Sequence, residues 1–222
     1  MNALKDVKLI EYSKPVDALN CITHAIGAAL AVIGMVFLVK KSLILSDTVG
    51  VISCIIYSIS LIAVYAISAL YHGLPQGEAK RKARLFDHLA IPLLLAGTST
   101  PCALITLRRV STPNSILVIT IAWFCAIFGI VAKLFFFEKL KVAVMAVYFT
   151  GGAIMLLSTV PLLENINKTG FLILVLGCIA YTVGALFCHG GIKRPWMHVI
   201  FHIFTVFGSA FHYFAIYAYE LK

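Results

Sequence analysis

Charged side chains are scarce in this 222-residue chain: Asp, Glu, Lys and Arg make up 12% of it, and only nine residues are acidic. Soluble domains carry roughly twice that share of charge. With 61% of residues hydrophobic, a water-soluble domain could not hide the apolar surface, whereas a bilayer lets it face outward. Long polar connections are missing too. The longest, Gly73 to Arg84, is too short for a domain, so any chemistry must sit within a helix bundle or at its rim. No CxxC pair occurs among Cys21, Cys54, Cys102, Cys125, Cys178 and Cys188, which removes a disulfide framework and a cysteine zinc site. Buried small hydrophobes is their plain reading. No basic face with interleaved aromatics is present, so the net charge of +9 does not point to nucleic acid. Residues 1–20 mix both charges without an apolar core, unlike a signal peptide, and the first span is expected to act as its own insertion signal.

What is present is a series of apolar runs of about 20 residues, the length that crosses a bilayer. Seven can be drawn: Leu19–Val39, Thr48–His72, Leu85–Leu107, Ser115–Phe137, Val142–Leu163, Gly170–Cys188 and Trp196–Tyr219. The expected fold is an all-α integral membrane protein, a seven-transmembrane helix bundle over residues 19–220 behind a short cytoplasmic segment, residues 1–18. Pro92 and Pro101 are expected to bend the third span. Seven spans put the termini on opposite faces. Of the 18 basic residues, twelve fall on the N-terminal face: Lys5, Lys8, Lys14, Lys80, Arg81, Lys82, Arg84, Lys133, Lys139, Lys141, Lys193 and Arg194. The positive-inside rule then places the N-terminus in the cytoplasm and the C-terminus outside, the reverse of G-protein-coupled receptors. A microbial rhodopsin is excluded, because the one lysine near the last span is the terminal Lys222.

Laid across a bilayer in this order, His72, Asp87, His198 and His202 reach one depth on one side. Ionisable groups at such depth are costly and read by default as a functional site. Three imidazoles and a carboxylate form a zinc-type ligand set. His198 and His202 are four apart and share a helix face, as do Ser68 and His72. The pair reads HVIFH and lacks the adjacent Glu of HExxH metalloproteases. If zinc activates water here, Asp87 is the candidate base. The alternatives are plainer: Asp87 capping its helix or pairing with Arg84, and histidines bonded to backbone carbonyls. Asn20 and His24 share a face of the first span, as support behind the ligands or as helix–helix glue. His212 lies about 15 Å further along its helix than His202 and cannot share the ion. His88 points about 100° away from Asp87, and His189 is expected in a solvated loop.

Three segments carry a resemblance: SALYH at Ser68–His72, FDHLAIPLLLAGTSTP at Phe86–Pro101 and HVIFHIFTVFGSAFHYFAIY at His198–Tyr217. With NCITHAIGA at Asn20–Ala28, they resemble the progestin and adiponectin receptor superfamily, and its bacterial branch, the haemolysin III proteins, above all. The resemblance implies seven helices with zinc near the cytoplasmic leaflet of, for a bacterial member, the inner membrane. It implies His72, His198 and His202 as direct ligands, Asp87 reaching zinc through a water, and Ser68 beside that water. Eukaryotic members look like amidases that cleave ceramide to a fatty acid and a sphingoid base; the bacterial branch is associated with haemolysis and with membrane fluidity or energetics.

Three functions follow as expectations. The first is a zinc-dependent hydrolase of a membrane lipid amide or ester, with Asp87 and Ser68 catalytic. The second is a non-catalytic sensor or regulator of membrane state whose zinc ties helices together. The third, a pore-forming haemolysin, is disfavoured because the ionisable residues cluster at one face instead of lining a path. The partner is a membrane lipid in each of the first two readings, and the oligomeric state is open.

Overall fold

The computed structural model describes residue 4 and residues 7–137, 139–160, 163–190 and 194–221. Among these no strand occurs, and the chain is helical almost throughout. The main helices are α1 (Lys14–Leu45), α2 (Thr48–Gly73), α3 (Glu78–Pro101), α4 (Thr112–Phe136), α5 (Lys141–Thr159), α6 (Lys168–Gly190) and α7 (Trp196–Ala215). All but α5 are long and apolar enough to cross a membrane. This is a multi-pass membrane protein. Lys5 and Lys193 of the charge argument and the terminal Lys222 lie outside the described residues, as do residues 161–162 of the expected fifth span.

The polarity of the first helix is inverted relative to a soluble bundle. On α1 the outer face carries Ile22, Ile26, Leu30, Ile33 and Phe37, all about half exposed, while Asn20, His24 and Gly27 are buried. Lipid is the solvent for the apolar face, so small and polar groups turn inward, where they can be satisfied. Successive helices pack side by side from α1 to α5, α6 packs on α7, and α7 returns against α1. The main core forms around α2: Tyr57, Leu61, Val64 and Tyr65 meet Ala31 and Leu38 of α1 and Leu94 of α3. A second core of Ala96, Ala122, Ala126 and Met155 joins α3, α4 and α5. Gly27 lets α1 approach α2 closely, since a Cβ there would stand 2.9 Å from the Tyr65 ring.

Hydroxyls tie the interior together. The Tyr65 hydroxyl lies 2.6 Å from Ser209 Oγ and 3.0 Å from the Thr205 carbonyl, and the Tyr181 hydroxyl lies 2.7 Å from the same Ser209 Oγ. These bonds join α2, α6 and α7 and set the rotation of α7.

The helix edges differ from those drawn by hydropathy. Helix α1 begins at Lys14, five residues before Leu19, with Pro15 in its first turn, where a missing N–H costs nothing. Helix α3 begins at Glu78, seven residues before Leu85, and its first turns bury Lys80 and Arg84. Apolar runs mark only the stretch that needs lipid, whereas helices extend past it wherever the polar residues find partners. Pro92 and Pro101 both sit inside α3, and a π-helical stretch, Cys102–Leu107, follows the second. Proline removes a donor from the helical ladder, and a wider turn is one way to re-satisfy the freed carbonyls. His189, expected in a loop, is on the last turn of α6.

Candidate metal centre

His72 stands at the end of α2, and His198 and His202 on the first two turns of α7. One ring nitrogen from each falls within 4.8 Å of the others, and no further His, Cys, Asp or Glu joins this group among the described residues. The Nε2 atoms of His198 and His202 are 3.1 Å apart. His72 Nε2 is buried and finds no hydrogen-bond partner among the described residues.

The opposite ring nitrogens of His72 and His202 are engaged elsewhere. His72 Nδ1 lies 2.9 Å from Asp17 Oδ1. His202 Nδ1 lies 3.3 Å from the Asn20 carbonyl, an acceptor only, so that nitrogen carries the proton. His198 Nδ1 lies 3.9 Å from Cys188 Sγ. With Nδ1 of His72 and of His202 as the protonated nitrogens, Nε2 of each is left as a lone-pair donor on the side of the trio. Nitrogens bound at 2.0–2.1 Å in a tetrahedral zinc site stand about 3.3 Å apart. The donor set therefore fits a zinc-type ion, and His72, His198 and His202 are the residues that would hold it.

The other residues singled out from sequence fall around this trio. Ser68 is buried one turn before His72 on the same face of α2. Asn20 meets His202 through its backbone carbonyl, and its side-chain amide finds no partner among the described residues. His24 stacks face to face on His202, with ring centroids 3.7 Å apart and planes 13° apart. Asp87 is within electrostatic reach of His72 and His24 but stands outside the trio. Its carboxylate pairs with the neighbouring His88, Nδ1 to Oδ2 3.5 Å, and His88 Nδ1 is also 3.0 Å from the Arg84 carbonyl. Arg84 lies over the Phe137 ring instead of pairing with Asp87. His212 is remote from the trio, edge-on to Tyr181 and 3.9 Å from Cys178 Sγ.

Four neighbours were not anticipated: Tyr12, Asp17, Lys80 and Cys188. Asp17 bridges His72 and Lys80, whose Nζ lies 2.9 Å from Asp17 Oδ2 and 3.0 Å from the Leu74 carbonyl. A signal for it existed: Asp17, Asn20 and His24 follow i, i+3, i+7 spacing and share one helix face. Tyr12 precedes α1 and lies over the trio, its ring stacked on His198 at 5.4 Å and 5.6 Å from His72. Burial pushes its phenol well above the usual tyrosine range. The same N-terminal segment is pinned by Val7, which packs with Leu85 and Phe137. No motif marks Tyr12 or Cys188, which reach the site only through the fold.

Comparison with known proteins agrees along nearly the whole chain. A family model described as haemolysin-III related matches residues 12–213. Hemolysin-3 of Bacillus cereus is 35% identical over 202 residues, covering 91% of this chain and 90% of that protein. The hemolysin-3 homolog of Bacillus subtilis (strain 168) is 33% identical over 203 residues, covering 91% and 93%. Monocyte to macrophage differentiation factor of Homo sapiens is 26% identical over 208 residues, covering 91% and 83%. No solved structure matches.

Proposed function

This chain belongs to the haemolysin-III-related family, and from that premise we propose that it is a zinc-dependent hydrolase of a membrane lipid amide or ester. The single observation that carries the reading is the convergence of one ring nitrogen from each of three imidazoles, two of which have their Nδ1 atoms engaged elsewhere. Bound there, zinc would polarise a carbonyl and lower the pKa of a water to about 7. His72, His198 and His202 hold the ion. Asp87 accepts the proton of the attacking water, and Ser68 positions that water or steadies the developing oxyanion. The acyl chain lies against the helices, open to the leaflet.

The proposed topology is seven spans with the N-terminus in the cytoplasm and the C-terminus outside, in the bacterial inner membrane. Helix α5 has 19 residues, a rise of about 28 Å against a hydrocarbon core of about 30 Å, so it suffices as the fifth crossing. The surplus of basic residues on the N-terminal side supports the orientation.

One observation favours a second reading, a zinc-stabilised sensor of membrane state: Asp87 is paired with His88 and turned to a neighbour other than the trio. The two readings part on Asp87→Asn. For the hydrolase, the variant retains zinc and loses turnover of a panel of ceramides and acyl esters in nanodiscs. Undiminished turnover would remove Asp87 as the base, and no turnover by the wild type across the panel would leave the sensor.

A further inference from the structure

We infer that Asp17 is the positioning residue of the metal centre, and that it makes His72 the anchoring ligand of the three. The inference rests on the metal reading of this site and adds a residue to it. The three histidines differ in what holds their outer nitrogens. His72 has a carboxylate at 2.9 Å, His202 a neutral backbone carbonyl at 3.3 Å, and His198 a thiol at 3.9 Å. A carboxylate accepting from Nδ1–H fixes the ring orientation, fixes the tautomer with the Nε2 lone pair free, and makes that lone pair more basic. A carbonyl does the first two less strongly, and a thiol at that distance does little.

Asp17 is itself held on its other oxygen. Lys80 Nζ donates to Asp17 Oδ2 and to the Leu74 carbonyl, and its side chain is 2% exposed. A carboxylate this close to the apolar span needs a counter-charge to stay ionised. Lys80 supplies it from the start of α3, so three elements meet at one carboxylate: α1 carries Asp17, α2 carries His72, and α3 carries Lys80. His198 is the contrasting case. It is half-buried at the first turn of α7, and although the Tyr12 and Phe201 rings lie against it, its outer nitrogen faces only the Cys188 thiol at 3.9 Å among the described residues; it is the ligand most able to let go.

The test uses full-length protein in nanodiscs, with Asp17→Asn, Asp17→Ala, Lys80→Met and Cys188→Ala beside the wild type. Zinc affinity is read by competition with a chelating dye, and the geometry by the visible spectrum of the Co2+-loaded protein. Melting of the zinc-free protein controls for folding. Loss of a partner of this kind weakens metal binding by about 10–100-fold. The expected result is a loss of that size and an altered Co2+ spectrum for both Asp17 variants, a loss in the same direction for Lys80→Met, which removes the counter-charge of Asp17, and none for Cys188→Ala. If Asp17→Ala fails to fold, the isosteric Asp17→Asn carries the test. Wild-type affinity in Asp17→Asn overturns the inference, as does an equal loss in all four variants that tracks zinc-free melting. A wild type that binds no zinc removes the metal reading itself, and this inference with it.

Discussion

Replacing Ser209 by Ala probes the frame that holds α7, and with it the direction of His198 and His202. Ser209 Oγ is buried and sits between two hydroxyls, Tyr65 at 2.6 Å on α2 and Tyr181 at 2.7 Å on α6. The loss is not symmetric. Tyr65 keeps a second acceptor, the Thr205 carbonyl at 3.0 Å, whereas no second bond is seen for the Tyr181 hydroxyl among the described residues. Hydrogen bonds between membrane helices are worth about 0.6 kcal/mol on average, and a buried hydroxyl left without a partner costs about 1–3 kcal/mol. Ser209→Ala should therefore cost about 1–2 kcal/mol, most of it from stranding Tyr181. Tyr181→Phe removes one bond and leaves Ser209 bonded to Tyr65, so it should cost about 0.6 kcal/mol. The two changes act on one contact, so the double variant should cost at least about 0.5 kcal/mol less than their sum. Reversible unfolding in mixed detergent micelles measures all three. Strict additivity, or no effect of Ser209→Ala, would refute the claim that this hydroxyl cluster fixes α7.

Two further expectations concern other parts of the fold. Gly27→Val places a side chain into the Tyr65 ring, which a Cβ alone would approach to 2.9 Å. Overpacking of this kind costs about 1–3 kcal/mol, and because α1 also carries Asp17 and Asn20, zinc affinity should fall with stability in a chelator titration. Asp47, outside the spans, accepts from the Gly50 N–H at the start of α2 and pairs with Arg108; these contacts hold its carboxyl below the usual range. A depressed folded pKa contributes stability that is present above the unfolded value of about 3.9 and lost as pH falls through the folded one. Melting between pH 5 and 3 should thus decline less steeply for Asp47→Asn than for the wild type. Parallel curves would assign Asp47 no part in the acid response.

Hydropathy located the helices because lipid-facing runs such as Ile22 to Phe37 have no other place to go. It could not locate their ends. Lys14, Asp17, Lys80 and Arg84 are polar, yet they belong to helices because their partners are in other helices, and no window along one chain sees those partners. The spacing of His198 and His202 was legible as one face of one helix, and the depth of His72 pointed to the same layer. The structure brings ring nitrogens of all three together. The orientation of Asp87 was not legible, because its choice among Arg84, His88 and the trio depends on where the Phe137 ring draws Arg84. Tyr12 was not legible at all, since a residue before the first helix meets His72 and His198 only once the chain has folded.

The central claim is that the three imidazoles hold a zinc ion, and elemental analysis of purified protein tests it most directly, wild type beside His198→Ala. The account predicts about one zinc per chain in the wild type and loss of that zinc in the variant. A wild type that carries no metal after incubation with zinc, or a variant that keeps it, would contradict the account and reduce the histidines to packing residues.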